Sequence, residues 1–185
     1  MLKQVIKKIR EIFLRISINL GLVNKVKISL NSHIYEFHKV QESDILKEIT
    51  LKGYENYESG VINFLKNYPF PVSTFIDGGA NIGFYSVITS NIFKNAHIIA
   101  VEPHPKTAQY LRELRSKNDL NFDIIEVALD SNNGQKTLFF PNNSKLTNHS
   151  SIASLKNNFK GTNGKFNQMP YDKITVNTMK LESVI

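Results

Sequence analysis

Two acidic residues on either side of a glycine-rich turn are the side chains of this protein best placed to do chemistry. Asp77 follows the apolar run 75–76, and Glu102 follows the apolar run 97–101. In doubly wound α/β folds, glycines after the first strand let the backbone approach a nucleotide, and an acid ending the second strand holds its ribose hydroxyls. Glu102 comes about 20 residues after the turn, the spacing that this arrangement needs. The pattern predicts a site for a ligand that carries a ribose.

Two more ordinary roles stay open for these acids. Asp77 is also explained as a residue that caps a turn, and Glu102 as a surface carboxylate. Their joint occurrence at the ends of two successive predicted strands favours the ligand site.

The spacing of the glycines distinguishes dinucleotides from S-adenosylmethionine. A dinucleotide turn reads G-x-G-x-x-G, so that a pyrophosphate rests on the following helix. If Gly78 were the first glycine of this pattern, position 80 would have to be glycine, but it is alanine. If Gly79 were the first, position 81 would have to be glycine, but it is asparagine. The turn therefore does not match the dinucleotide pattern. Residues 77–83 read Asp-x-Gly-x-Asn-x-Gly, which resembles the acid-x-Gly-x-Gly-x-Gly signature of Rossmann-like S-adenosylmethionine methyltransferases. Asparagine tolerates the left-handed backbone of the middle position.

Longer stretches resemble the FkbM family of methyltransferases. The resemblance lies in 77–86 (DGGANIGFYS), 101–105 (VEPHP) and 127–130 (VALD). Further similarity lies in the serine-rich stretch 150–155, in Tyr57-Glu58, and in 176–182, where an aspartate is more usual than Glu182. The resemblance extends over roughly residues 50–185.

The resemblance implies a cofactor site built on the turn. Gly78 to Gly83 would enclose the methionine part of S-adenosylmethionine, with backbone N–H groups near its carboxylate. Asp77 would orient the turn or the cofactor's amine, and Glu102 would accept hydrogen bonds from the ribose hydroxyls. The implied cofactor-binding residues are Asp77, Gly78, Gly79, Ala80, Asn81, Gly83, Tyr85, Glu102 and Pro103, with Glu126, Val127 and Ala128 bordering the adenine.

The implied reaction is methyl transfer by in-line displacement, which needs alignment more than covalent help. A hydroxyl of a sugar or of another small molecule is the acceptor that we expect. No catalytic residue is assigned. His104 is expected to cap the helix that follows it, and His149, in a polar loop, is the other candidate for a base. The five histidines show no metal-ligand spacing, so no metal site is predicted.

Alternating strands and helices must position these residues. The hydrophobic pattern predicts strands at 73–76, 97–101 and 122–128, with helices at about 82–94 and 106–117 between them. Further short strands are expected at 136–140 and 174–176. This order predicts an α/β fold with a mainly parallel sheet and flanking helices. The resemblance implies that this fold is of the Rossmann-like class I methyltransferase type. Because the family continues into a fourth strand with an acidic motif, we expect the fold to be incomplete at the C-terminus.

Three predicted regions divide the chain. They are a basic amphipathic helix at 1–24, a small strand and helix region at 25–70, and the cofactor-binding region at 71–185. The second region is expected to hold a hairpin, a strand around Ile49 and Leu51, and a helix at 57–68 with Val61, Phe64 and Leu65 inward. The third contains a polar loop at 141–173, which is interpreted either as a substrate lid or as a disordered insertion.

Charge and amphipathicity indicate the partners. The net charge is +7, which favours anionic partners, but no basic aromatic stripe accompanies it, so nucleic acid is not expected. Apolar residues of 2–20 fall on one helical stripe with most of the basic residues off it, so this helix either lies on an anionic membrane surface or docks on its own domain. The absence of cysteine fits a reducing compartment. We expect a cytoplasmic protein, with peripheral membrane contact through 2–20 as the open alternative.

Other functions compete with the methyltransferase hypothesis. The first alternative is a catalytically inactive fragment or remnant that only binds cofactor or a partner. A nucleotide-dependent oxidoreductase or epimerase is disfavoured by the glycine frame, and a nucleic-acid binder is supported by charge alone.

Overall fold

The computed structural model describes residues 2–142, 153–156 and 170–185. The chain divides into two compact units, Met1–Phe70 and Pro71–Ile185. Most of the polar loop expected at 141–173 lies outside the described residues, as does half of the serine-rich stretch 150–155. In the described part, no helix is both long enough and apolar enough to cross a bilayer.

The first unit opens with helix α1 (Leu2–Asn19), followed by a β-hairpin of β1 (Lys25–Leu30) and β2 (His33–His38). The two strands are antiparallel, and Asn31 and Ser32 connect them with positive φ angles of 45° and 68°. Two positive φ angles define the turn whose twist matches that of the flanking strands. The predicted hairpin is therefore present.

A helix replaces the strand that we expected around Ile49 and Leu51. Helix α2 spans Asp44–Lys52, and the Ser43 hydroxyl accepts a hydrogen bond from the backbone N–H of Leu46 at 3.2 Å. This N-cap satisfies one of the free donors of the first turn. Leu46 and Ile49, three residues apart on one helical face, are buried. The strand prediction was wrong because it overlooked the cap and the three-residue spacing.

Helix α3 (Ser59–Lys66) lies where a helix was predicted, but it presents a different face inward. Leu65 is buried as predicted and so is Ile62, whereas Val61 and Phe64, also predicted to point inward, are 46% and 63% exposed. Both sets of residues recur at helical spacing, so the sequence pattern did not distinguish a face turned by one residue, or about 100°.

The second unit is built on a parallel three-stranded sheet. Its strands are β3 (Thr74–Gly78), β4 (His97–Val101) and β5 (Asp123–Ile125), in the order β3-β4-β5. Helix α4 (Phe84–Ile92) connects β3 to β4, and helix α5 (Pro105–Lys117) connects β4 to β5. The strands and helices of the predicted βαβ order are thus present.

Both faces of strand β4 are buried, as expected for a strand of a parallel sheet. On one face Ile98 and Ala100 pack with Leu111 of α5 and with Phe122. On the other face Ile99 and Val101 pack in a second cluster. The three residues of α5 predicted to point inward, Tyr110, Leu111 and Leu114, are all buried.

The strand predicted at 122–128 is divided between two sheets. Strand β5 ends at Ile125, and the N–H of Val127 donates to the Ile125 carbonyl at 3.1 Å, a local bend. Strand β6 (Ala128–Leu129) then pairs in parallel with β8 (Tyr171–Met179), and β7 (Gly134–Pro141) pairs with β8 in antiparallel fashion. The unit is therefore a mixed α/β structure with a parallel sheet, flanking helices and a second, mixed sheet.

Candidate functional site

The glycine-rich turn follows β3 and bends onto the end of β4. The N–H groups of Gly79 and Ala80 donate to the carbonyl of Val101 at 2.8 and 2.9 Å, and the N–H of Gly83 donates to the carbonyl of Ala80 at 2.8 Å. Because β3 and β4 are parallel neighbours, the turn and the residues after β4 meet at the carboxyl edge of the sheet.

Three residues of the turn adopt the left-handed backbone. Gly79, Asn81 and Gly83 have φ angles of 76°, 50° and 75°. Asparagine is among the few residues that adopt this conformation readily, which accounts for Asn81 at the position of the middle glycine.

The two outer glycines of that set serve different purposes. A Cβ atom on Gly83 would lie 2.6 Å from Cδ2 of Leu111 and 3.0 Å from Cδ2 of Leu114, so a side chain there would collide with α5. A Cβ atom on Gly79 would meet nothing within 4 Å, and Gly79 is exposed. Gly83 therefore allows close packing, whereas Gly79 presents bare backbone to open space.

Glu102 joins the turn to the start of α5. Its Oε2 accepts a hydrogen bond from the N–H of Asn81, and its Oε1 accepts one from the N–H of His104, each at 2.9 Å. Glu102 is only 2% exposed, so it is not the surface carboxylate of the alternative interpretation. Burial raises the pKa of Glu102 to about 7, against the lowering effect of the two backbone N–H groups.

Asp77 lies buried at the end of β3 and is bonded to the following helix. The hydroxyl of Ser86 donates to its Oδ2 at 2.6 Å, and Ser86 is fully buried. Burial raises the pKa of Asp77, and the hydrogen bonds from Ser86 oppose that rise. Sequence reasoning did not assign Ser86 a role. Its place within the stretch 77–86, in the first turn of α4, was the available signal.

The other residues of the predicted site lie in diverse surroundings. Tyr85 is half-buried, and its ring stands edge-on to Phe84 with 5.2 Å between centroids. Pro103 is half-buried next to Glu102. Gly78 is exposed and Ala80 is buried against the sheet.

The three residues expected to border the adenine differ in burial and in contacts. Glu126 is exposed and forms an ion pair with Arg112 at 3.1 Å. Val127 is buried with Ile99 and Val101, and Ala128 is buried in a cluster with Leu138 of β7 and Val176 of β8. The side chains of Val127 and Ala128 therefore pack in the protein core.

His104 precedes α5 as its N-cap residue, but through its backbone. Its carbonyl accepts hydrogen bonds from the N–H groups of Thr107 and Ala108, and its side chain makes no capping hydrogen bond. The buried ring instead stands edge-on to Phe140, with 4.8 Å between centroids. His104 therefore occupies the predicted capping position, although its ring takes no part in the cap. His149 lies outside the described residues.

The arrangement fits part of the predicted cofactor. The bare backbone of Gly79 leaves room for a ligand at the carboxyl edge of the sheet. Each oxygen of Glu102 accepts one backbone hydrogen bond and keeps a further lone pair, which suits the hydroxyl donors of a ribose. The N–H groups of Gly79, Ala80, Asn81 and Gly83 already donate within the protein, so a ligand carboxylate would need other donors. Among the described residues, no group of acidic and histidine side chains has the arrangement of a metal site.

Comparisons with known proteins identify no family. No protein-family model matches the chain, and no curated protein sequence matches it. A solved structure from Pyrococcus horikoshii, described as a "putative transferase", is similar at 18% identity and a TM-score of 0.36. The alignment spans 58% of this chain and 37% of that one, and at such values neither fold nor activity is transferred from it.

Proposed function

We propose that this protein binds S-adenosylmethionine at the turn after β3 and acts as an FkbM-type methyltransferase, methylating a hydroxyl of a sugar or of another small acceptor. The observation that carries the proposal is the Glu102 carboxylate, which is buried at the end of β4 and bonded to the left-handed turn. The residue type and its position after β4 agree with what the motif residues imply, and its hydrogen bond to the turn is further support.

The residues of the turn would bind and align the cofactor. Gly79 would allow the ligand to approach the backbone, and Glu102 would accept hydrogen bonds from the ribose hydroxyls. Asp77, which accepts a hydrogen bond from Ser86 of α4, would hold the turn in position relative to that helix. When bound, the cofactor supplies an electrophilic methyl group, and the contribution of the protein is to align that group with the acceptor hydroxyl.

Calorimetric titration with S-adenosylmethionine and, separately, with NAD tests the ligand class. We expect binding of S-adenosylmethionine and none of NAD. Preferential binding of NAD would overturn the proposal, since the glycine frame is the basis for rejecting dinucleotides. Transfer of a labelled methyl group to sugar acceptors then tests the activity. Binding without transfer to any acceptor would favour a protein that only binds the cofactor.

Gly79→Ala tests the position of the ligand. The new methyl group has free space in the protein, so we expect a loss of stability of only about 1 kcal/mol from the left-handed backbone. We expect at least a tenfold loss of affinity for S-adenosylmethionine, since about 1.4 kcal/mol of steric conflict suffices for that factor. Gly60→Ala is the control because Gly60, exposed on α3, also has nothing within 4 Å of an added Cβ. Unchanged affinity in Gly79→Ala would place the ligand elsewhere.

A further inference from the structure

Helix α1 exposes an apolar face that the rest of its unit does not cover. Among the described residues, fifteen large apolar side chains are exposed, and eight of these lie between positions 5 and 22. Scattered exposed apolar residues are ordinary, but a contiguous set indicates an interaction surface. We call this set the α1 apolar face: Val5, Ile6, Ile9, Ile12, Phe13 and Ile16, each about half exposed or more.

The buried side of α1 lies opposite to this face. Ile18 is 2% exposed, and Glu11 and Leu14, at helical spacing from it, are half-buried. At about 100° per residue, the α1 apolar face covers an arc of about 120° centred roughly opposite Ile18. The helix therefore docks through one side and leaves its more apolar side outward, the reverse of an ordinary surface helix.

Basic residues border the α1 apolar face on both sides. At about 100° per residue, Lys8 and Arg15 lie on one flank and Arg10 lies on the other. All three side chains are exposed. The helix sequence contains five basic residues and one acid, Glu11. Glu11 lies on the docked side and forms an ion pair with the flanking Arg15 at 2.8 Å.

The arrangement of charges indicates which partner binds the α1 apolar face. Two copies of α1 packed face to face would bring like charges together at both borders. An anionic lipid surface instead offers acyl chains to the apolar face and phosphates to the flanking cations, the geometry of a helix lying in the membrane interface. We infer that α1 binds anionic membrane surfaces in the plane of the bilayer, with its apolar face inserted among the headgroups and upper acyl chains.

A single tryptophan can report the insertion directly because the chain contains none. In Phe13→Trp the fluorophore sits on the α1 apolar face at a position that is 67% exposed. With vesicles of mixed phosphatidylglycerol and phosphatidylcholine, we expect a blue shift of the emission and quenching by brominated acyl chains. Phe70→Trp is the control, at a position that is 66% exposed and outside α1, and its emission should stay unchanged.

Partition measurements on the same vesicles separate the apolar and the charge contributions. The double variant Ile9→Glu with Ile16→Glu should partition at least about tenfold more weakly, whereas Ile34→Glu, exposed on β2, should bind as wild type does. Lys8→Gln with Arg10→Gln should weaken binding by about fivefold for each charge removed, as expected for cations near an anionic leaflet. Binding should also weaken in high salt.

Two outcomes would overturn the inference. Equal binding to vesicles of phosphatidylcholine alone would show that charge does not select the partner. A blue-shifted Phe13→Trp emission without lipid, together with a dimer mass by light scattering, would assign the face to a second copy of the chain. Far-ultraviolet circular dichroism of each variant should match that of the wild type, which checks that the helices are kept.

Discussion

At the scale of single residues, Glu102 is a carboxylate whose ionisation opposes folding. Its pKa is raised to about 7 in the folded protein from an ordinary value of 4.5. For a raised pKa, the stabilising contribution is fully present below about pH 4.5 and is lost as the pH rises through about 7. The loss amounts to about 3 kcal/mol, taking 1.36 kcal/mol for each pKa unit.

Glu102→Gln should remove this part of the pH dependence. Urea unfolding between pH 4.5 and 8 should show wild-type stability falling relative to that of the variant as the pH rises. At low pH the variant should be less stable by about 1–3 kcal/mol, because the amide nitrogen cannot accept one of the two backbone hydrogen bonds. Glu182→Gln, an exposed residue paired with Lys180, is the control and should keep the wild-type profile. Parallel profiles for wild type and Glu102→Gln would contradict the argument.

The same carboxylate gives the proposed cofactor binding a pH dependence. Ionised Glu102 is the stronger acceptor for ribose hydroxyls. We therefore expect the affinity for S-adenosylmethionine to rise as the pH increases through about 7. Calorimetry at a series of pH values measures this, and the rise should be absent in Glu102→Gln. An affinity that falls over this range would exclude ionised Glu102 as the ribose acceptor.

Ser86 is predicted to contribute to stability through Asp77. Ser86→Ala removes the hydroxyl that donates to a buried carboxylate at 2.6 Å, so we expect a loss of about 1.5–3 kcal/mol in urea unfolding. Ser90→Ala is the matched control. Its hydroxyl donates only to the Ser86 carbonyl within α4, and its loss should change stability by less than about 1 kcal/mol. Equal effects of both changes would show that the bond to Asp77 has no special importance.

At the scale of elements, the contact between the turn and α5 depends on Gly83. Gly83→Ala combines a left-handed backbone with overlap against Leu111 and Leu114, for an expected loss of about 2–4 kcal/mol. Gly60→Ala, exposed within α3, should instead stabilise by up to about 1 kcal/mol. Thermal and urea unfolding of both variants test the contrast. A neutral Gly83→Ala would mean that α5 can shift away from the turn at little cost.

The elements also show how far the sequence determines local structure. The βαβ order was predictable because β4 is an almost continuous apolar run, β3 contains the apolar pair at 75–76 directly before the glycine-rich turn, and α5 has a clear inward face. The face of α3 was not, because a short amphipathic segment fits more than one rotation. The helical state of α2 was missed although Ser43 and the three-residue spacing of Leu46 and Ile49 indicated it. The third strand is divided because residues 123–125 pair with β4 and residues 128–129 pair with β8, and these partners are set by the tertiary structure.

Some features of the candidate site were predictable from the sequence and others were not. Asp77, the glycine frame and Glu102 could be found from residue types and strand ends. The internal use of the turn's N–H groups and the double backbone contact of Glu102 could not, because hydrogen-bond partners distant in sequence leave no spacing pattern.

At the scale of the whole molecule, the two proposals concern different units. The turn and Glu102 lie in Pro71–Ile185, and the α1 apolar face lies in Met1–Phe70. Hydrogen exchange on the intact chain should therefore give two footprints. S-adenosylmethionine should slow exchange at residues 79–83 and 102–104, and anionic vesicles should slow it in α1. Vesicle protection centred on the turn, or cofactor protection centred on α1, would contradict the respective assignment.

The contacts of Glu102 also determine which substitutions the site can tolerate. Both of its partners are backbone N–H groups, which every residue except proline supplies. Position 104 should therefore accept many residues that fill the space beside Phe140, and position 81 should accept glycine and aspartate, which suit its left-handed backbone. Position 102 has no such freedom. In a saturation-mutagenesis map of folding, the most informative position of the site should be the carboxylate, and proline should be the substitution least tolerated at both of its partners.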